Sequence, residues 1–144
     1  MTRAVETHPY RKTQILTASP AELMLLLYNA AICYCEQAKG RLDAGGFEAA
    51  HDWLVKAENV VLELSAGLRR DAYPELVDNL SRLFQFVFYR LFEANTSRNR
   101  QCVEEAISVL TLLRDAWVEG IANASAYVAP TGSAGASGSV ELSA

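Results

Sequence analysis

The sequence lacks several features that mark particular classes of protein. No apolar run approaches the roughly 20 residues that a helix needs to cross a bilayer, and residues 1–9 lack the apolar stretch of a signal peptide. Basic side chains are few, since 13 Lys and Arg stand against 17 Asp and Glu, whereas binding to a nucleic-acid backbone needs a basic surface. We therefore expect a soluble, cytoplasmic protein that does not insert into membranes and does not bind nucleic acid.

Cysteine is also scarce, with three residues in the chain. Cys33 and Cys35 are two positions apart, so on a helix they point in different directions and cannot form a disulfide. Cys102 has no cysteine near it in the sequence. Reduced thiols that act as small apolar side chains fit this pattern and a reducing compartment.

Motifs for catalysis or cofactor binding are missing as well. There is no Cys-x-x-Cys pair, no glycine-rich phosphate loop and no Gly-x-Ser-x-Gly turn. The segment from Glu48 to His51 matches the Glu-x-x-His of di-iron helical bundles, but such a site needs a second copy, and the other histidine is His8, ahead of the first helix. We interpret the match as chance and predict no metal, no cofactor and no catalytic residue.

The sequence does contain four segments in which apolar residues recur with helical periodicity. Ser19-Pro20-Ala21-Glu22 predicts the start of the first helix, because Ser can cap it, Pro fits its first position and Glu completes a capping box. Gly45-Gly46 predicts its end. The second helix is predicted from about Glu48 to Arg69-Arg70, where two cations suit a helix C-terminus.

Pro74 predicts the start of the third helix, residues 95–99 a turn, and Asn99 the cap of the fourth. Such short connections place consecutive helices antiparallel, so we predict an all-α, up-down four-helix bundle over residues 19–124. Residues 1–18 are expected to pack on the bundle as an apolar segment. Residues 125–144, rich in Ala, Gly and Ser, are expected to form a disordered tail.

The helices carry more apolar side chains than one core stripe requires. In the third helix a main stripe, predicted to face the core, comprises Leu76, Leu80, Leu83, Val87 and Leu91. A second stripe, about 90° round the helix, comprises Val77, Phe84, Phe88 and Phe92. Val55 and Leu62 widen the second helix, and Val109 and Leu112 the fourth. Two interpretations stay open: one wide core, or a groove for a partner, which is either a second copy or a foreign helix.

The N-terminal residues resemble a known family. Tyr10-Arg11-Lys12-Thr13-Gln14-Ile15-Leu16-Thr17-Ala18-Ser19-Pro20-Ala21-Glu22-Leu23, followed by Leu27-Tyr28-Asn29-Ala30-Ala31-Ile32, is similar to the signature of the flagellar secretion chaperone family FliS. Shorter similarities follow in order at 54–58, 91–95 and 112–117, so the resemblance covers about residues 8–122. Leu83-Phe84 stands where the family usually has Leu-Tyr.

The resemblance implies a cytosolic four-helix chaperone of the flagellar type III export system. Such a protein binds the C-terminal segment of flagellin, prevents premature polymerisation and delivers flagellin to the export apparatus, including its component FlhA. The residues expected to bind the partner are Tyr10, Gln14, Ile15, Leu27, Tyr28, Leu54, Val77, Phe84, Phe88, Leu91 and Asn95. The alternative is a homodimeric helical adaptor or structural bundle that does not bind flagellin, and a weak homodimer is compatible with either function.

Overall fold

The computed structural model describes residues 19–69 and 71–124, and the side chains up to Gly120. This part of the chain contains four α-helices and no strand. The helices are α1 (Pro20–Asp43), α2 (Phe47–Ala66), α3 (Pro74–Ser97) and α4 (Arg100–Ala124). The all-α prediction is confirmed. The predicted N-terminal segment, 1–18, and tail, 125–144, lie outside the described residues.

The helix boundaries follow from local chemistry. The Glu22 amide donates to Ser19 Oγ at 3.1 Å, and the Ser19 amide donates to Glu22 Oε1 at 3.0 Å, which completes the predicted capping box. The turn after α1 is possible because Gly45 adopts φ 78°, which side chains disfavour. At the start of α4 the Gln101 amide donates to Asn99 Oδ1 at 2.9 Å, as an N-cap requires.

Two boundaries differ from the sequence prediction. Helix α2 ends at Ala66, before the two arginines, because the chain leaves the helix at Gly67, whose amide bonds back to Glu63 and Leu64. Helix α3 continues to Ser97, three residues into the predicted turn, and the Ser97 hydroxyl donates to the Glu93 carbonyl at 2.7 Å. The residue that ends α3 is Arg98, which adopts the left-handed conformation with φ 53°.

The chain divides into two compact units. One is Leu27–Ala116, and the other is formed by the two end portions of the chain, of which residues 19–26 and 117–124 are described. In the second unit the Trp117 indole donates to the Ala21 carbonyl at 3.0 Å, which ties the end of α4 to the start of α1.

Within Leu27–Ala116, polar contacts between neighbouring helices fix the antiparallel arrangement. Arg100 Nε lies 2.7 Å from Asp43 Oδ1, and Arg114 Nη1 donates to Asn29 Oδ1 at 3.1 Å, so α4 runs back along α1. His51 Nδ1 and Asn95 Nδ2 are 2.8 Å apart, which joins the start of α2 to the end of α3. The predicted up-down four-helix bundle is confirmed.

The core is apolar: no described polar or charged residue is buried. Small residues, including Ala31, Ala57 and Ala106, are completely covered and let the helices approach closely. The largest fully buried side chains are Phe84, Leu54, Leu64, Leu91 and Leu110. None of the described helices combines the length and the apolar character that crossing a membrane requires.

The predicted main stripe of α3 is only partly correct. Val87 and Leu91 are buried, but Leu76 and Leu83, from the same stripe, are exposed, whereas Val77 and Phe84 from the second stripe are buried. The core face of α3 therefore lies between the two stripes. Periodicity gives the spacing of a stripe but not which of two neighbouring stripes faces the centre of the bundle.

Candidate functional site

The first candidate surface lies where α3 and α4 run side by side. Arg90 joins the two helices, since its Nε lies 2.9 Å from Glu105 Oε1 as an ion pair and its Nη2 donates to Cys102 Sγ at 2.7 Å. Because the two helices are antiparallel, the residue seven positions before Arg90 and the residue seven positions after Glu105 lie at the same level, two turns from the ion pair. Those residues are Leu83 and Leu112.

These leucines belong to an apolar strip on the surface. Leu112 is 69% exposed, and on α3 Leu76, Leu83 and Phe86 are 55%, 39% and 44% exposed. The three α3 residues are spaced by seven and three positions, so they share one side of the helix. We call Leu76, Leu83, Phe86 and Leu112 the α3–α4 strip. Contiguous exposed apolar surface of this kind is typical of a site for a protein partner.

A second surface lies between α1 and α2. The rings of Tyr34 and Trp53 lie 5.6 Å apart, and Lys56 Nζ sits 4.7 Å above the Trp53 ring. Further along α2 is an open groove of about 480 Å³. Its lining is Leu27, Asn59, Val60, Leu62, Glu63 and Ala66.

A third surface lies where α2 begins and α3 ends. An open pocket of about 350 Å³ has an apolar floor that includes Leu42 and Leu54, with His51, Asn95 and Arg98 among its polar lining. The Arg98 guanidinium lies 4.2 Å from the centre of the Phe47 ring, so this cation is held against an aromatic face.

The residues predicted to bind a partner divide into three groups. Leu27, Phe88 and Asn95 are half-buried and reach the surface; Leu27 lines the α1–α2 groove, and Asn95 lines the pocket at the start of α2. Five are buried, although Leu54 also lines the pocket at the start of α2: Tyr28, Leu54, Val77, Phe84 and Leu91. Tyr10, Gln14 and Ile15 lie outside the described residues. The partner-binding role of the whole set stays a prediction.

These five residues are buried because they lie on the sides of their helices that face the other helices. There they pack against apolar side chains of the neighbouring helices. The exposed members of the α3–α4 strip were not assigned to the site from the sequence. The signal for one of them was present, because Leu112 widens the apolar stripe of α4 beyond the need of a core.

The titratable groups of the core do not suggest catalysis. Burial raises the pKa of the Cys35 thiol to about 12, so it stays protonated and unreactive at neutral pH. Burial also raises the pKa of Tyr28 to about 12. Cys33 is exposed, so the expectation of a small apolar side chain fits Cys35 and not Cys33, which lies two positions away and points in another direction. The described residues contain no cluster of three or more His, Cys, Asp or Glu that suits a metal ion.

Comparison with known proteins decides the family. The family model described as "Flagellar protein FliS" matches residues 1–125, which is most of the chain. The chain belongs to the FliS family. FliS proteins are chaperones of flagellum assembly, not enzymes, so the absence of catalytic motifs from the sequence accords with membership.

Individual relatives agree with the FliS assignment. The chain is 30% identical over 112 residues to the flagellar secretion chaperone FliS of Bacillus subtilis, covering 78% of this chain and 83% of the relative. It is 31% identical over 107 residues to the FliS of Salmonella typhimurium, covering 74% and 79%. A crystal structure of a bacterial flagellar chaperone superposes with a TM-score of 0.68 at 19% identity, covering 82% of this chain and 98% of that one, a likeness that shows the fold.

Proposed function

We propose that this chain is a cytosolic export chaperone that binds the C-terminal segment of flagellin. Binding keeps flagellin from polymerising before export, and the complex delivers it to the flagellar type III export apparatus, including FlhA. Membership of the FliS family supports the export role. The observation that carries flagellin binding is the α3–α4 strip.

The strip has the chemistry of a helix-binding groove. An amphipathic segment laid along antiparallel helices places apolar side chains at intervals of three, four and seven residues into such a surface. Leu83 and Leu112, at the same level of α3 and α4, offer it two adjoining apolar contacts. Covering an exposed leucine stabilises a complex by up to about 1.5–3 kcal/mol.

The mechanism is physical and involves no bond-making step. The chaperone covers the surface of the client segment that would otherwise pack against other flagellin molecules, so bound flagellin cannot assemble. Part of the contact energy is offset by the entropy lost when a flexible segment becomes ordered, which leaves an affinity that export can reverse.

The test is a pair of substitutions on α4. Leu112→Glu places a carboxylate in the strip, and because Leu112 is 69% exposed the fold should tolerate it. We expect binding of the C-terminal segment of the flagellin from the same organism to weaken by more than about tenfold in calorimetry. Gln101→Glu, an exposed position about three turns before Leu112 on the same helix, adds the same charge beyond the end of the strip and should leave binding unchanged.

Equal affinity of wild type and Leu112→Glu would remove the strip from the binding site. If wild type does not bind the flagellin segment, and light scattering shows a stable dimer that Leu112→Glu dissociates, the homodimeric adaptor is the correct function.

A further inference from the structure

The α2–α3 side of the bundle contains one carboxylate among apolar side chains. Glu58 is half-buried, and its Oε2 atom is covered without a hydrogen-bond partner among the described residues. An unpaired, covered carboxylate oxygen is costly to a folded protein, so its environment needs an explanation.

The register of α2 and α3 shows what Glu58 faces. His51 and Asn95 lie 2.8 Å apart across the two antiparallel helices. Two turns on from His51 is Glu58, and two turns back from Asn95 is Phe88, so these two residues reach the same level and the same sides of their helices. An electrostatic influence of His51 on Glu58 agrees with their common side of α2.

Apolar side chains flank Glu58 along this side. Val55 and Leu62 lie one turn before and after it on α2, and Phe92 lies one turn beyond Phe88 on α3. Leu62, which also lines the open groove along α2, is 52% exposed and Phe92 is 54% exposed, whereas Val55 and Phe88 are half-buried. We call Val55, Glu58, Leu62, Phe88 and Phe92 the α2–α3 edge.

Three cations of the described helices α2 and α3 and the turn after them have other partners. Lys56, two residues before Glu58, lies over the Trp53 ring on the α1 side of α2. Arg98 lies against Phe47, and Arg82 Nη1 donates to Asn79 Oδ1 at 2.8 Å. No ion pair found among the described residues includes Glu58.

We propose that the α2–α3 edge binds an amphipathic client segment through a lysine or arginine that pairs with Glu58, while apolar side chains of the segment cover Leu62, Phe88 and Phe92. A basic side chain suits this place because its methylene stem is apolar and its charged end can reach the carboxylate. The pair supplies the partner that Oε2 lacks, and it fixes the position of the segment along an otherwise uniform apolar surface. This inference rests on the proposed function, since it names the chemistry of the flagellin segment.

The experiment compares Glu58→Gln with Glu36→Gln, an exposed position on α1 that matches the change in net charge and belongs to neither the edge nor the strip. The probes are the C-terminal segment of the flagellin from the same organism and variants in which each Lys or Arg is replaced by Gln. We expect Glu58→Gln to weaken binding about fivefold and Glu36→Gln to leave it unchanged.

One basic residue of the segment should prove to be the partner. Its replacement by Gln should cause the same loss with wild-type protein and no further loss with Glu58→Gln, as the coupling of a contacting pair requires. The affinity of wild type should also fall more steeply with salt than that of Glu58→Gln.

Several results would overturn the proposal. If the segment binds Glu58→Gln and wild type equally, or if no basic residue of the segment couples to Glu58, the edge does not bind a basic side chain of the segment. The protein would still bind flagellin in that case. Dissociation of a chaperone homodimer by Glu58→Lys would identify a second copy as the occupant. Failure of wild type to bind any flagellin segment would instead remove the proposed function itself.

Discussion

The rings of Tyr28 and Phe84 meet inside the bundle, with centroids 6.2 Å apart and planes inclined by 42°. Tyr28 comes from α1 and Phe84 from α3, so the contact joins two helices that are not consecutive in the chain. Both residues were expected from the sequence at the partner-binding surface, yet they are only 3% and 2% exposed. Their position makes them part of the core of the bundle.

Phe84→Ala should therefore act on stability first. Removing a fully buried phenylalanine destabilises a domain by about 3–5 kcal/mol, because apolar contacts are lost and a cavity remains. Urea unfolding followed by circular dichroism measures the change. Phe86→Ala, two positions away and 44% exposed, is the matched control and should cost less than about 1 kcal/mol. An equal cost for the two variants would mean that Phe84 is not a core residue in solution.

Phe88→Glu should weaken binding of the flagellin segment more than about tenfold, because a carboxylate beside Glu58 would have to be buried unpaired in the complex. Phe88 is half-buried, and its ring lies nearly perpendicular to that of the exposed Tyr89, with centroids 5.7 Å apart, so the helices should survive the change. Calorimetry gives the affinity, and circular dichroism gives the helical content. Loss of helical structure in Phe88→Glu would show that this side chain belongs to the core.

Glu58 gives the stability of the free protein a pH dependence. Burial raises the pKa of Glu58 above its ordinary value of 4.5, and the nearby His51 lowers it by a smaller amount. A raised carboxyl pKa means that the folded protein binds the proton more tightly than the unfolded chain does. The contribution of Glu58 to stability is thus fully present below pH 4.5 and is lost as pH rises through the folded-state pKa.

Glu58→Gln removes this dependence. The variant should melt at a higher temperature than wild type at pH 7, by an amount that corresponds to less than about 1 kcal/mol because Glu58 is partly solvated. The difference should shrink towards pH 4, where the carboxyl group becomes protonated. Melting curves at several pH values test this. A wild type more stable than Glu58→Gln at pH 7 would show that Glu58 has a stabilising partner in the free protein.

Ser19→Ala should destabilise the start of α1 by about 1 kcal/mol, because the Glu22 amide loses its acceptor. In Ser19→Ala, amide hydrogen exchange at Glu22 should be faster than in wild type. Exchange in the middle of α1, where the amides bond to carbonyls of the helix, should not change. Glu22→Gln, which keeps a side-chain acceptor for the Ser19 amide, should have little effect. Unchanged exchange at Glu22 in Ser19→Ala would mean that the box does not form in solution.

Deletion of residues 1–16 should weaken binding of the flagellin segment. The reason is that Tyr10, with an apolar ring and a hydroxyl, has the chemistry of an interface residue. The deletion leaves the capping box of α1 intact, since the box begins at Ser19. Calorimetry at matched salt measures the effect. Tighter binding after deletion would instead make the segment a competitor of the client.

The start and end signals of the helices could be predicted from sequence because they depend on residues close together in the chain. Ser19 with Glu22, Pro74 and Asn99 each act within one turn of a helix, so the local sequence contains the whole cause. The end of α2 at Gly67 was missed because the arginines at 69–70 suit a helix terminus as well, and glycine two positions earlier ends the helix first.

The exact face of α3 could not be predicted in the same way. Leu76 and Val77 are adjacent and equally apolar, and which of them is buried depends on where α2 and α4 lie. The covered oxygen of Glu58 was missed for a similar reason. Whether a carboxylate at the edge of a stripe has a partner depends on α3, which is distant in sequence.

Apart from the Tyr28 hydroxyl and the thiols of Cys35 and Cys102, the described core contains no buried polar side-chain group, and this affects how firmly each helix is held in one rotation. Burial of apolar surface is non-directional, whereas a buried hydrogen bond can specify a single alignment. Small rotations and translations of the helices should therefore cost little free energy, as long as each lost apolar contact is replaced by another. We expect such a bundle to adjust its surface to client segments that differ in detail, so that tolerance of variation in the client begins in the core.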